Sequence, residues 1–194
     1  MELSEAQLEI RNLARKFAQS EIAPHVAAWE AEQVPSSLLR DLGRLGLMSV
    51  CVDPRYGGAG ADFVAYCLAI EEVSAADGGI SNLMSATNSP VAAALEQHGT
   101  DWQKDHYLTR ICRGDWTGSI HLTEPHTGSD AAAITTRATP DGDDWLINGH
   151  KSFITGGASS DIAMIVAVTD PQAGKRGITT FITPTDNPGY TVLH

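Results

Sequence analysis

The chain has 194 residues, 42% of them hydrophobic, and a formal net charge of −11. This hydrophobic content is not typical of a disordered protein, and the acidity argues against a surface that follows nucleic-acid phosphates, which needs clustered Lys and Arg. The three widely spaced cysteines argue against a disulfide framework and favour a reducing, cytoplasmic compartment, and we expect no signal peptide, no membrane span and no membrane partner.

Helical signals fill the first 116 residues. Ser4 and Gln7 have the spacing of a capping box, which predicts the start of a first helix. Pro24 can open a short second helix. The serines at 36–37 predict the start of a third helix, which Gly46 can end.

The glycine-rich segment 56–62 (YGGAGAD) interrupts these helices. Its glycines predict a loop with positive φ, and Asp62 can cap the helix that follows, which should run to about residue 77. A phosphate-binding loop needs a preceding strand and a following Lys-Ser/Thr pair, which this segment lacks. We therefore interpret it as a connection between two helices.

Two further helices complete this half. An apolar helix spans roughly residues 80–97, and Thr100 with Gln103 forms a second capping box for a helix that ends near Gly114. We therefore predict an N-terminal all-α helical bundle over residues 1–116.

The pattern changes after Trp116 to short segments rich in β-branched residues. The predicted strands lie at 118–123, 135–139, 145–147, 152–155, 162–168 and 179–183. Asp141-Gly142 and Asn148-Gly149 are hairpin signals. Because no helical pattern intervenes, we expect an antiparallel β-sandwich or barrel-like domain over residues 117–194, in an α+β multidomain fold.

The final residues predict an incomplete sheet. Residues 187–194 have the pattern of a turn that enters a strand, and a sheet that stopped there would expose an unpaired edge. We therefore expect this β-domain to be truncated and the sequence to continue beyond His194.

Familiar catalytic motifs do not occur in the sequence: it contains no GxSxG, HExxH, Walker A or strand-linked GxGxxG. The seven histidines form no i, i+4 pair on a predicted helix. His121 and His126 flank one strand end but lack a third ligand at a suitable spacing, so we assign no metal site.

The segment Leu122–Asp130 (LTEPHTGSD) is the first candidate for a ligand site. Pro125 forces an extended exit from a strand, and Gly128–Asp130 turns the chain. Such a turn can direct backbone N–H groups and the hydroxyls of Thr123 and Ser129 to one spot, which suits a planar heterocycle or a phosphate. A Ser/Thr or Asx turn that only closes a strand has the same composition, so both interpretations stay open.

The segment Phe153–Gly157 (FITGG) is the second candidate. Phe153 and Thr155 would share one face of a strand, where the ring could cover a flat ligand and the hydroxyl could reach its edge. A core phenylalanine and an edge threonine would give the same pattern.

Both segments resemble signatures of the acyl-CoA dehydrogenase family. LTEPHTGSD at 122–130 is similar to the family's LTEPxxGSD, and INGHKSFIT at 147–155 is similar to INGxKx(W/F)IT at the expected distance. Residues 56–62 and 99–108 match two landmarks of the helical half. The resemblance covers the whole chain and implies the family's N-terminal helical domain and most of its middle β-domain, with the C-terminal helical domain absent.

The resemblance implies an oxidoreductase of fatty acid metabolism that dehydrogenates acyl-CoA thioesters at the α,β bond. A carboxylate removes the α-proton while the β-hydrogen leaves as hydride to N5 of FAD. The family supplies that base after the β-domain, so we assign no catalytic base and interpret Glu124 as structural. The implied cofactor-binding residues are Ile120, Leu122, Thr123, Gly128, Ser129, Phe153, Ile154 and Thr155. The implied substrate-binding residues are Ser129, Ala86 and Thr87.

The resemblance also implies partners: an electron-transfer flavoprotein as acceptor and a homotetramer for the full-length enzyme. We expect the 194 residues by themselves neither to retain FAD tightly nor to turn over acyl-CoA. Two alternatives stay open. One is an acyl-CoA oxidase or flavin monooxygenase on the same fold, and the other is a non-catalytic binding or assembly module.

Overall fold

The computed structural model describes residues 2–30 and 34–193. The chain divides into two compact units, Met1–Thr117 and Gly118–His194. Helices form the first unit and a β-sheet forms the second. This order confirms the predicted succession of a helical domain and a β-domain.

The helical unit contains eight described α-helices, some of which are joined by π-helical turns. They are α1 (Glu5–Phe17), α2 (Val26–Trp29), α3 (Ser36–Arg44), α4 (Phe63–Ala76), α5 (Gly78–Ala86), α6 (Ala93–His98), α7 (Asp101–Gln103) and α8 (Thr109–Cys112). The π-helical turns are Ala18–Ile22, Thr87–Ala92 and Lys104–Leu108. Pro90 lies inside the second of these turns. Because proline has no N–H to donate, the regular α-helical ladder cannot continue there, and the wider turn accommodates it.

Both predicted capping boxes are present. The Ser4 hydroxyl accepts from the Gln7 amide at 3.2 Å, while the Gln7 side chain accepts from the Ser4 amide at 2.9 Å. Thr100 and Gln103 make the same pair of bonds before α7. The second helix starts later than Pro24, because residues 23–25 form a turn that leaves the first π-helical segment.

The glycine-rich segment is a connection between helices, as its composition predicts. Gly57 and Gly60 have φ values of +92° and +63°, and Asp62 caps α4 by accepting from the Ala65 amide at 2.8 Å. The backbone amides of residues 59–61 donate to carbonyls of residues 49–52 at 2.9–3.1 Å. These amides are therefore engaged within the loop and do not face a phosphate.

Asn88 joins the second π-helical turn to a neighbouring segment of the helical core. Its Oδ1 accepts from the Val50 amide at 2.8 Å, and its Nδ2 donates to the carbonyls of Leu47 and Met84 at 2.8 and 2.9 Å. The side chain is buried, so these bonds satisfy backbone groups that water does not reach.

We expect Asn88→Leu to lower the free energy of unfolding of the helical unit by about 2–4 kcal/mol. The substitution keeps the side-chain volume similar but leaves a buried amide and two carbonyls without these partners. Urea unfolding followed by circular dichroism measures the effect. Ser89→Ala, at the exposed neighbouring position, should change stability by no more than about 0.5 kcal/mol. An equal effect of both substitutions would contradict the assigned role of Asn88.

Five strands form the sheet of the second unit. They are β1 (Gly118–His121), β2 (Arg137–Asp141), β3 (Asp144–Asn148), β4 (Ile162–Val168) and β5 (Ile178–Pro184). β4 pairs along its whole length with β5, antiparallel, and β2 pairs antiparallel with β3. β1 runs parallel to β4, and β2 meets β4 through one parallel pairing of Arg137 with Val168.

The sheet is therefore mixed and not wholly antiparallel, which corrects the expectation from the sequence. A parallel pair needs a long crossover between its strands. Here the connection from His121 to Ile162 contains the β2–β3 hairpin and returns the chain in the same direction. The hairpin itself confirms the Asp141-Gly142 signal: Asp141 pairs with Asp144, and Gly142 in the loop has φ +65°.

Two strand predictions and one hairpin prediction are wrong. Residues 152–155 form no strand, and Asn148-Gly149 makes no hairpin, because the chain after β3 bonds to the segment that follows β1. Residues 190–193 are also not a strand, and His194 lies outside the described residues.

The core of the sheet unit lies on β4 and on residues that pack beside it. Its buried apolar side chains are Ile134, Ala138, Ile162, Ala163, Met164 and Ala167. Within residues 2–30 and 34–193, no helix combines the length and apolar character that crossing a bilayer requires. Across the same residues, no three His, Cys, Asp or Glu side chains group as a metal site would need.

Candidate functional site

The first candidate segment lies against residues 151–152, which directly precede the second candidate segment. The Ser152 amide donates to the Thr123 carbonyl at 2.9 Å. Lys151 Nζ donates to the Leu122 carbonyl at 3.0 Å and to Glu124 Oε1 at 2.9 Å. Residues 122–124 and 151–152 are thus joined by three hydrogen bonds, although neither segment is part of a strand.

A tight turn follows the first segment. The amide of Glu124 donates to the Thr127 carbonyl at 2.9 Å, and the amide of Thr127 donates back at 3.1 Å. The Thr127 hydroxyl donates to the Asp130 carbonyl at 2.7 Å. These two amides therefore hold the turn and are not available to a ligand, whereas Gly128 and Ser129 are exposed beyond it.

Glu124 is the buried centre of this arrangement. Its side chain is 2% exposed and accepts from the Thr135 amide and hydroxyl at 2.7 and 2.8 Å and from the Thr136 amide at 2.9 Å, in addition to Lys151. Burial acts to raise the pKa of this carboxyl, but the hydrogen bonds from Thr136, Lys151 and Thr135 outweigh it and hold the pKa well below its ordinary value. Glu124 is therefore a poor proton acceptor.

Lys151 is buried with it, at 8% side-chain exposure. Burial lowers the pKa of this ammonium, and the neighbouring Glu124 opposes the shift. The two charges compensate each other where water does not reach them. In the sequence, Lys151 is notable only as part of the resemblance. Its contact with Glu124 depends on the connection between β1 and β4, which brings the two residues together.

Phe153 has an unusual backbone and an unusual exposure. Its φ is +58°, the one positive value outside glycine among the described residues, and its side chain is 95% exposed. Such conformations cost free energy and cluster at functional sites. The expectation that Phe153 and Thr155 share a strand face is wrong, since the segment is irregular. Ile154 and Thr155 are half-buried beside the outward ring.

The other predicted residues take varied positions. Ile120 lies in β1 and Leu122 follows it, both half-buried, and Thr123 is half-buried before the turn. Ala86 ends α5, where it is half-buried, and Thr87 begins the π-helical turn and is fully buried. Ala86 therefore offers the more accessible surface of these two.

His121 forms a buried cluster that sequence reasoning missed. Its Nε2 lies 2.9 Å from the Ser119 hydroxyl and 3.4 Å from the Tyr190 hydroxyl, which donates to the Gly157 carbonyl. Burial and the charge of Lys151 lower the pKa of His121 to about 4. The spacing of Ser119 and His121 along one strand was the available signal, since alternate residues face the same side. His126 is instead exposed on the turn and bonds to the Ala133 carbonyl at 3.1 Å.

An open cavity of about 960 Å³ lies on the sheet unit, and its lining includes Phe153, Ile154 and Gly157 of the second candidate segment. His121, Lys151 and Tyr190 contribute polar groups to its lining, and the Phe153 ring also lines it. Exposed apolar side chains, among them Leu146, extend along it. The cavity brings polar groups and apolar surface together, as ligand sites do.

Two family models match the chain. The acyl-CoA dehydrogenase N-terminal domain matches residues 4–115, and the acyl-CoA dehydrogenase middle domain matches residues 119–194. An acyl-CoA dehydrogenase of Bacillus subtilis (strain 168) is 38% identical over 193 residues, covering 99% of this chain and 51% of the relative.

Solved structures superpose on the chain over most of its length. One described as the electron transferring flavoprotein of Acidaminococcus fermentans has a TM-score of 0.93 at 37% identity and covers 97% of this chain and 50% of that chain. A glutaryl-CoA dehydrogenase from Mycobacterium smegmatis in complex with FADH2 has a TM-score of 0.90 at 37% identity, covering 97% and 48%. The chain spans about half the length of the curated relatives it matches.

Proposed function

Because the chain belongs to the acyl-CoA dehydrogenase family, we propose that the protein carrying it catalyses the flavin-dependent α,β-dehydrogenation of acyl-CoA thioesters. The chain corresponds to the N-terminal and middle domains of that enzyme. The observation that carries the proposal is the joining of residues 122–124 to residues 151–152, which brings the two segments that resemble the flavin-binding signatures together.

The residues present fit a flavin. The Phe153 ring is displayed to solvent on a strained backbone, and Ser129 is exposed past the tight turn, so both offer surface to a planar ligand. The related glutaryl-CoA dehydrogenase binds FADH2, which supports FAD as the cofactor here. When bound, FAD supplies the acceptor for the hydride that leaves the β-carbon of the substrate.

The chain's own residues bind and orient in this proposal. The Thr123 and Thr155 hydroxyls would hydrogen-bond the flavin edge, and Phe153 would lie beside the ring system. Ile120, Leu122, Gly128 and Ile154 complete the contact surface. Ser129 contacts both cofactor and thioester, and Ala86 with Thr87 contributes to the acyl-binding surface. Glu124 removes no proton, since its carboxylate is buried and held ionised by the donors around it.

The proposal extends to the partners of the whole enzyme. An electron-transfer flavoprotein accepts the electrons, and the enzyme is a homotetramer of fatty acid metabolism. The three free cysteines support a reducing, cytoplasmic location. Size-exclusion chromatography with light scattering tests the assembly, and reoxidation by purified electron-transfer flavoprotein tests the acceptor.

The activity is tested with the full-length protein that carries this chain. We expect a yellow protein with stoichiometric FAD that reduces a redox dye when butyryl-CoA or a longer acyl-CoA is added, and that reacts slowly with oxygen. A protein that binds no FAD, or that no acyl-CoA reduces, would refute the proposal. Rapid reoxidation by oxygen would instead indicate the acyl-CoA oxidase alternative.

We expect Phe153→Gly to weaken FAD binding without lowering the stability of the fold. Glycine adopts a positive φ without strain, so the variant should be as stable as the unchanged protein or up to about 1 kcal/mol more stable. Loss of the ring should nevertheless weaken FAD binding by about two- to tenfold, since an aromatic stacking contact contributes roughly 0.5–1.5 kcal/mol. Thermal unfolding without FAD and a fluorescence titration with FAD measure the two effects. Phe63→Ala removes an exposed ring from the helical unit and should leave FAD affinity unchanged.

A further inference from the structure

The Glu124–Lys151 ion pair joins residues 122–130 to residues 149–155, and neither of these two segments is held in place by a strand ladder. Residues 122–130 follow the end of β1, and residues 149–155 follow the end of β3. A ladder of backbone bonds normally sets which residues of two segments lie side by side. Here the Ser152 amide makes a backbone bond across, to Thr123. The side-chain bonds of Lys151 add two more, to the Leu122 carbonyl and to Glu124.

The ion pair is costly as a source of stability alone. Burying two charges is expensive, and an apolar pair of similar volume often stabilises a fold equally well. A buried pair is better suited to select one arrangement over others, because a shifted arrangement would leave a charge unpaired. Lys151 bonds to Glu124 and to the Leu122 carbonyl together, so only one alignment of the two segments satisfies it.

Glu124 extends this alignment to a third segment. Its carboxylate accepts from the backbone amides of Thr135 and Thr136 at 2.7 and 2.9 Å. These bonds hold the chain that leads into β2 against the tight turn after β1. The turn that presents Ser129 is therefore tied on one side to residues 135–136 and on the other to Lys151.

We infer that Glu124 and Lys151 are positioning residues, whose ion pair fixes Thr123 and Ser129 relative to Phe153 and Thr155 so that both segments can hold one flavin. The inference rests on the proposed function. Thr123 is adjacent to Glu124 and bonds through its carbonyl to Ser152, while Phe153 is two residues from Lys151. A misalignment of about 1 Å between such groups is enough to change function strongly.

The test compares three variants of the full-length protein: Lys151→Met, the double variant Glu124→Gln/Lys151→Met, and the control Lys175→Met at an exposed lysine of the same unit. Lys151→Met leaves a buried carboxylate without its cation, whereas the double variant removes both charges. FAD affinity is measured by fluorescence titration and stability by thermal unfolding without FAD.

We expect Lys151→Met to lower thermal stability and to weaken FAD binding by about tenfold or more. The double variant should regain part of the thermal stability, since no buried carboxylate lacks its cation, although one oxygen that accepts from the Thr135 or Thr136 amide is replaced by an NH2 group that cannot accept. Its FAD affinity should stay weakened, because the segments are no longer aligned. Lys175→Met should match the unchanged protein in both. Recovery of FAD affinity together with stability in the double variant would overturn the inference, since the pair would then be only structural.

Hydrogen exchange distinguishes failure of this inference from failure of the proposed function. If the unchanged protein binds no FAD, the proposed function fails, and exchange alone decides on the ion pair. In the double variant, faster exchange at the Ser152 amide with continued protection of the β4–β5 amides would support the positioning role. Unchanged exchange at Ser152 would overturn it.

Discussion

Glu124→Ala is expected to lower the free energy of unfolding of the sheet unit by about 3–5 kcal/mol. The substitution leaves the Lys151 ammonium buried without its counter-charge, and removing one partner of a buried ion pair has this cost. It also removes the acceptor of the Thr135 and Thr136 amides. The effect should exceed that of any surface substitution in the unit.

Urea unfolding monitored by hydrogen exchange of the β4–β5 amides measures this loss within the sheet unit. Asp143→Ala, an exposed acidic residue in the loop between β2 and β3, is the matched control and should change stability by no more than about 0.5 kcal/mol. A loss below about 1 kcal/mol for Glu124→Ala would mean that the site relaxes or admits water. The description of a desolvated ion pair would then be wrong.

The second large effect is a loss of stability in mild acid caused by His121. Its pKa falls from 6.5 to about 4 in the folded protein, so the unfolded chain binds the proton more readily. The stability that the neutral ring contributes is complete above pH 6.5 and is lost as the pH falls towards 4. A shift of this size corresponds to about 3 kcal/mol.

The pH range of this stability loss distinguishes the contribution of His121 from that of Glu124. The pKa of Glu124 is also lowered on folding, but its contribution is lost only as the pH falls below the ordinary carboxyl value of 4.5. Between pH 6.5 and 4.5 the change should therefore come mainly from His121. Lys151 and Tyr190 face the ring, and the Lys151 charge adds to the cost of protonating it.

Denaturant unfolding of the sheet unit at several pH values between 7 and 4.5 measures this dependence. His121→Gln keeps a polar side chain near Ser119 and Tyr190 but does not titrate. Its stability should be nearly independent of pH across the window. If the unchanged protein and the variant show the same slope, the acid sensitivity arises from another group.

Local signals predicted local structure well in this chain. The capping boxes of Ser4 with Gln7 and of Thr100 with Gln103 form as expected, because each depends on bonds between residues three positions apart. The Gly142 turn and the positive φ of Gly57 follow from the same principle. In each case the residues that decide the conformation are neighbours in the chain.

The candidate site was predicted in part. The sequence drew attention to Leu122–Asp130 and to Phe153–Thr155, but it placed the second segment in a strand that does not form. A two-residue period resembles a strand whenever apolar and polar residues alternate. What prevents the strand is the contact with the end of β1, and no local pattern shows that contact.

The sequence by itself determined where the helices capped by Ser4, Asp62 and Thr100 begin, where the β2–β3 hairpin turns, and which segments resemble flavin-binding signatures. The tertiary structure decided that β1 and β4 run parallel, that Lys151 meets Glu124, and that His121 is buried beside Tyr190. The physical reason is distance along the chain. Caps and turns depend on bonds among a few consecutive residues, whereas these contacts join residues about 27–69 positions apart. Which of them form depends on how the chain returns through the crossover.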